Sequence, residues 1–284
     1  MTYRQRYPLS GLGVCGLGDE QQQKTAFGWV RQDLNWAYVE KVKGVYDFSA
    51  YLKIVQRYAA VGMRLCFTLV YGNPLYTGKP ETYGPTTQEA IDAYAKFCAA
   101  AVRALKGYGI LWEIWNEPDD ATFWKPIPSN VCYAIIVQKA ASAMRGASST
   151  EWIAFGAISN LLNRKAFLDP ILAAPTIWKN CDVISIHGYR FTDPETIVND
   201  LKNLPIPAVI TEWGYSPAWA SQLPGGPTWE AQHADLTVRS IKAWKLAGIQ
   251  LGFIFNWMGD EFGMQKANGA PTLALAKVQE LVAA

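Results

Sequence analysis

The 284-residue chain is poor in the residues that metal and nucleophile chemistries draw on, with only two histidines, His187 and His233, and five scattered cysteines. No Cys or His pair stands at zinc-ligand spacing, so no metal site and no cofactor is expected. Cys15, Cys66, Cys98, Cys132 and Cys181 are odd in number, and flanks such as Gly-Val-Cys15-Gly are apolar, which reads as small buried thiols and not a disulfide framework. An excess of one charge is missing too. The 26 Lys and Arg against 24 Asp and Glu leave a formal net charge of +2 with no long run of either sign, which argues against a nucleic-acid partner. No stretch approaches the ~18 apolar residues of a membrane span. Met1 to Ser10 has arginines but no apolar run behind them, so it does not read as a secretory signal. The expectation is a cytoplasmic protein as encoded, or one released by lysis, carried on a phage particle or trimmed from a longer chain. Internal repeats and low-complexity linkers are also lacking, which leaves one domain over residues 1–284.

What is present is apolar and aromatic. Hydrophobic residues make up 50% of the chain, enough for a large core, and 12 Trp, 14 Tyr and 11 Phe supply flat amphipathic rings suited to packing or to stacking on sugars. Eight β-rich runs alternate with helical patterns: Gly11 to Leu17, Phe27 to Trp36, Arg64 to Val70, Leu111 to Asn116, Trp152 to Ile158, Asp182 to Gly188, Ala208 to Trp213, and Gly252 to Trp257. That alternation and that number predict an α/β fold, a single (β/α)8 TIM barrel. Helices are expected from Asp19 to Ala26, from Ser49 to Gly62, after a Thr86/Glu89 capping pair, from Ser129 to Arg145, from Arg164 to Ala173, from Asp193 to Lys202, from Thr228 to Leu246, and from Leu273 to Val282. Long loops follow the third, fourth, seventh and eighth strands, on the face where barrel chemistry sits, and carry Tyr71, Tyr76, Tyr83, Phe123, Trp124, Trp219 and Phe262.

Two carboxylates end strands. In Leu111-Trp-Glu-Ile-Trp-Asn-Glu-Pro118, Glu117 closes the fourth run just before a proline that cannot donate to a ladder; in Ala208-Val-Ile-Thr-Glu-Trp213, Glu212 closes the seventh. A closed barrel brings both to one mouth. Glu113, four residues before Glu117, should face the barrel interior, where a buried carboxylate needs a cation; Arg31 on the second strand is the candidate.

Trp115-Asn-Glu-Pro118 followed by Thr211-Glu-Trp-Gly214 resembles the clan A glycoside hydrolases, retaining enzymes on (β/α)8 barrels. Val30-Arg-Gln-Asp33, Val45-Tyr-Asp-Phe48 and Tyr71-Gly-Asn-Pro-Leu-Tyr76 are similar to family 39 within that clan, particularly its bacterial members acting on exopolysaccharide. The resemblance runs from about Leu12 to Trp257, without room for the β-sandwich that many family 39 enzymes append. It implies Glu117 as acid/base and Glu212 as nucleophile, with the charge of Glu212 raising the pKa of Glu117. It further implies substrate contacts from Asn116 (at the sugar 2-hydroxyl), His187, Tyr189 (on the nucleophile), Tyr71, Asn73, Arg31 and Trp257, the last as a platform beneath the sugar. The activity implied is double-displacement cleavage of β-glycosidic bonds in a polysaccharide or oligosaccharide by a monomer. Aromatics spread over several loops suggest an open groove and internal cleavage of a polymer. A transglycosylase would use the same carboxylates, and a sugar-binding barrel without turnover would keep the cleft alone.

Overall fold

The computed structural model describes residues 1–159, 161–189, 194–195, 201, 203–216, 229–258 and 262–284. Eight parallel strands close into a barrel in chain order. They are β1 (Gly11–Cys15), β2 (Trp29–Asn35), β3 (Arg64–Val70), β4 (Leu111–Ile114), β5 (Trp152–Ile158), β6 (Val183–His187), β7 (Ala208–Glu212) and β8 (Leu251–Ile254). The expected single (β/α)8 barrel is the observed architecture.

Alternation along each strand divides the side chains between two cores. Cys15, Trp29, Leu111, Val183, Leu251 and Phe253 meet inside the barrel, while Val30, Leu69, Ile114, Ile184, Ile210 and Ile254 face outward against the helices. The helices that cover the barrel include α1 (Ser49–Ala60), α2 (Gln88–Leu105), α3 (Asn130–Ala147), α4 (Trp229–Leu246) and α5 (Leu273–Ala283). Side-chain caps fix three of their starts: Thr87 accepts from the Ala90 N–H, Ser129 from Cys132 and Thr272 from Leu275. Gly252 lets α4 ride close to β8, since a Cβ there would stand 2.4 Å from the ring of Trp244. All five cysteines are free thiols, and Cys15, Cys66 and Cys98 are buried. No helix among the described residues is long and apolar enough to cross a membrane.

Several expected boundaries are corrected. The cap of α2 is Thr87 in place of Thr86. The segment Arg164 to Ala173 is not one helix but two single turns, Arg164–Phe167 and Asp169–Leu172, the second opening at Pro170, which has no N–H to continue the first. The strands stop early at the C-terminal rim: β1 before Leu17, β4 before Asn116 and β8 before Trp257. Most of the helix expected from Asp193 to Lys202, and Trp219 with its loop, lie outside the described residues.

Candidate active site

The early strand endings build the site. β4 ends because Trp115 (φ 69°) and Glu117 (φ 45°) take left-handed backbone conformations, costly for side chains with a Cβ. The Trp115 indole, which strict alternation would aim inward with Glu113, turns into the outer core against Tyr94 and Trp124. Asn116 and Glu117 are thereby both delivered to the mouth. On β7 the same result comes from a bulge. The register passes from Ile186↔Ile210 to His187↔Glu212, so Thr211 is the extra residue and Glu212 joins Val209 on the inner face.

The Glu117–Glu212 pair is the centre of a cavity of about 460 Å³ walled by Arg31, Asp33, Tyr71, Asn116, Phe123, Tyr189 and Phe255, among others. One oxygen of each carboxylate and one nitrogen of His187 lie within 4.8 Å of one another. Each glutamate has its own partners. Glu117 Oε1 is 2.8 Å from His187 Nδ1. Glu212 accepts from the Arg31 guanidinium through Oε1 and from the Tyr189 hydroxyl through Oε2. Arg31 extends the network downward, donating from Nε to Glu113 Oε2 at 2.8 Å with Nη2 in ion-pair contact at 2.7 Å, and sideways from Nη2 to Asn116 Oδ1 at 2.9 Å. Thr68 adds a 2.9 Å bond to Glu113, and Asn116 donates to the Tyr71 hydroxyl at 3.3 Å. The trio Glu117, His187 and Glu212 has the donor types of a metal site. Both Glu212 oxygens are nevertheless engaged by protein donors, and a cation would sit against the fixed Arg31 charge.

The environments set the two carboxylates apart. Burial is the main cause that raises the pKa of Glu117, with Glu212 a smaller contributor than expected, and His187 opposes both. His187 itself is raised, because Glu212 and Glu117 outweigh a burial that disfavours the imidazolium. For Glu113 the order of effects is similar and the outcome opposite: burial acts to raise its pKa, but the Arg31 charge holds it below the usual carboxylate range. The arrangement therefore sets a carboxyl group of raised pKa facing an arginine-bound carboxylate across a space open to a ligand.

Three expected substrate-contact residues do not line the cleft: His187, fully buried, reaches it only through Glu117 and Glu212, and Trp257 and Asn73 lie away from it. Trp257 is 1% exposed and packs edge-on to Phe27, and a Cβ at Gly18 would come within 2.2 Å of its indole nitrogen. β8 has ended three residues earlier, so alternation no longer governs it; Phe255 lines the cavity in its stead. Asn73, 1% exposed, caps a short helix through the Leu75 N–H and donates to the Glu40 carbonyl at 2.8 Å, a structural role. Of the loop aromatics, Tyr71 and Phe123 stack on each other at 6.0 Å along the wall, whereas Trp124 is buried and Tyr76 stacks on Trp36. Reasoning from the chain alone missed Phe255 and Asp33 as wall residues, although period-2 counting from Arg31 would have found Asp33.

No protein-family model and no curated protein matches the sequence. Solved structures do match its fold. A family 39 glycoside hydrolase from the gut symbiont Bacteroides cellulosilyticus superposes with a TM-score of 0.76 over 99% of this chain at 18% identity. This chain spans only 64% of the length of that protein. A monomeric β-xylosidase from Caulobacter crescentus gives 0.75 over 97% of this chain and 68% of its own, at 16% identity. Xylanase 10B from Thermotoga petrophila, solved with xylobiose, gives 0.69 over 99% and 95% at 14% identity. The chain thus shares the barrel fold of these hydrolases.

Proposed function

We propose that this protein is a retaining β-glycoside hydrolase of the clan A, family 39 type, with Glu117 as acid/base and Glu212 as nucleophile. The observation that carries the reading is the pairing itself. Two carboxylates on the rims of β4 and β7, one buried and raised in pKa, the other held by Arg31 and Tyr189, have oxygens within 4.8 Å of each other. Such a close approach supports the ~5–5.5 Å carboxyl separation of double displacement over the about 6.5–9.5 Å that leaves room for the water of inversion. In the first step a Glu212 oxygen bonds to the anomeric carbon while the glycosidic C–O bond breaks and Glu117 gives its proton to the departing oxygen. In the second, Glu117 takes a proton from water, whose oxygen displaces Glu212 from the sugar. Asn116, bonded to Arg31 and Tyr71, is positioned to meet the sugar 2-hydroxyl. The substrate class is a β-linked polysaccharide or oligosaccharide, cut internally by a monomeric enzyme; the aromatic walls Tyr71, Phe123 and Phe255 support a polymer subsite row.

The test is a panel of 4-nitrophenyl β-glycosides and β-linked polysaccharides, followed by trapping with a 2-deoxy-2-fluoro glycoside. Turnover with retention, and a mass increment on the peptide containing Glu212, is the expected result. Glu212→Gln should abolish turnover of every substrate, whereas Glu117→Gln should keep glycosylation by substrates with activated leaving groups, which need no proton. Binding without turnover would indicate a sugar-binding barrel, and acceptor-dependent oligosaccharide synthesis a transglycosylase. Loss of viscosity ahead of small products distinguishes internal from terminal cleavage.

A further inference from the structure

Asp33 belongs to the cleft wall yet has no part in the network just described. On β2 it lies two residues beyond Arg31, on the same inward face and one step nearer the mouth, in register with Thr68 of β3. Its side chain is exposed, and it lines the cavity. Other acidic groups around the rim are already satisfied. Asp119 accepts from the Ser159 N–H (2.7 Å), the Ser159 hydroxyl (3.0 Å) and the Asn163 amide (2.9 Å), and Glu81 accepts from Asn35 at 2.7 Å. The Asp33 carboxylate has no hydrogen-bond donor among the described residues. Among the described residues no cation pairs with it, since Arg31, below it, is committed to Glu113, Glu212 and Asn116.

The groups whose charges act on Asp33 are Arg31 on its own strand, Glu212 of β7, Glu113 of β4 and His187 of β6, with the Tyr51 and Tyr71 hydroxyls and the Cys66 thiol of β3 nearby. Arg31 and His187 act to lower the pKa of Asp33, whereas the neighbouring Glu212 and Glu113 act with burial to raise it. Solvent reaches Asp33 from the mouth, while the walls withdraw enough water to raise its pKa to about 6.

Building on the glycosidase reading, we propose that Asp33 is a specificity-determining residue whose free carboxylate accepts from neighbouring hydroxyls of an uncharged sugar ring and excludes sugars that carry an acidic group. The chemistry follows from the geometry: an open carboxylate without a protein donor needs O–H donors from its ligand, and its charge, added to that of Glu212, repels a uronate. The substrate class is thereby narrowed to neutral glycosides, with uronides turned away.

The experiment compares wild type with Asp33→Asn, an isosteric change at an exposed side chain that leaves the fold intact. With the neutral 4-nitrophenyl β-glycoside that the wild type cleaves best, KM should rise about 10-fold while kcat changes less than about 3-fold. The ratio of kcat/KM for 4-nitrophenyl β-glucuronide to that for the neutral glycoside should rise at least about 10-fold. A second readout needs no turnover: xylose, glucose, galactose, mannose and glucuronate are each added at high concentration and Tm is measured. At least one neutral sugar, and not glucuronate, should raise Tm of the wild type, and Asp33→Asn should weaken that rise. Wild-type protein that takes glucuronate as readily as neutral sugars, that is stabilised by no neutral sugar, or that matches its variant in every readout overturns the assignment. Sugar binding that follows these expectations in a protein with no turnover would sink the hydrolase reading and leave the selectivity of Asp33 standing.

Discussion

Arg31→Met keeps the reach of the side chain and deletes its charge, leaving Glu113, which is fully buried, without the cation that neutralises it. Removing one partner of such a pair costs about 3–5 kcal/mol. For a chain of this size that corresponds to a fall in Tm of roughly 5–8 °C. The loss should depend on pH. In the wild type Glu113 has a lowered pKa, so its stabilising contribution is complete above the unfolded-state value and disappears as pH falls through the folded one. In the variant burial is opposed only by His187 and neighbouring hydroxyls and should raise the pKa, so the native state keeps a proton that the unfolded chain has released. Stability of the variant then declines by about 1.4 kcal/mol per pH unit until Glu113 ionises. Calorimetry at pH 5, 6, 7 and 8 should therefore show the gap between wild type and variant widening as pH rises. Arg31→Met combined with Glu113→Leu, which replaces the pair by apolar groups, should recover most of the loss at pH 7. A single variant melting within about 2 °C of wild type at pH 7, or a double variant no more stable than the single, refutes the view that this pair is a buried charge couple.

Three further outcomes can be checked with the same proteins and an aryl glycoside. Tyr189→Phe deletes the hydroxyl that donates to Glu212, and the loss of a charge-assisted bond should lower kcat/KM about 10- to 150-fold; unchanged kinetics would remove Tyr189 from the site. Trp257→Ala should destabilise by about 3–5 kcal/mol, whereas Phe255→Ala, on the cleft wall, should mainly raise KM. Calorimetry and kinetics giving the opposite order would restore Trp257 as the sugar platform. His187→Ala removes a bond that lowers the pKa of Glu117, so the basic limb of the pH profile of kcat/KM should move to higher pH. A limb that stays in place would mean that His187 does not act on the proton of Glu117.

The fold was legible because its signal is repeated. Eight apolar runs with helical patterns between them leave little choice but a parallel closed sheet, and an error of two residues at any one end changes nothing. Glu117 and Glu212 were legible because each closes such a run. What could not be read was the direction of side chains at the rim. Period-2 counting holds through Glu113 and Val209, and along β6 through His187 to Tyr189, but fails where Trp115 and Glu117 turn left-handed and where Thr211 bulges. The same break makes Trp257, one strand-like residue too far, look like a platform. Asn73 misled for another reason: a polar residue in a loop beside the mouth can cap a helix as readily as bind a sugar, and only its bonds to Leu75 and Glu40 decide.

These rim irregularities also determine where the proton of the cleft resides. The register step at Thr211 sets His187 opposite Glu212, with Nε2 3.8 Å from Glu212 Oε1, while Nδ1 faces Glu117 at 2.8 Å. A neutral ring protonated on Nδ1 would point the Nε2 lone pair at the Glu212 oxygen; a proton on Nε2 makes that approach attractive, which is why Glu212 leads the effects that raise the His187 pKa against burial. In a double displacement this support ends when Glu212 becomes an ester. At the same moment Glu117 has given up its proton and become an anion 2.8 Å from Nδ1. In that mechanism the imidazole therefore exchanges one carboxylate partner for the other between the two steps. Burial raises the pKa of Glu117 while His187 acts to lower it, and under the proposed mechanism these opposed influences would suit a residue that serves as acid in the first step and as base in the second.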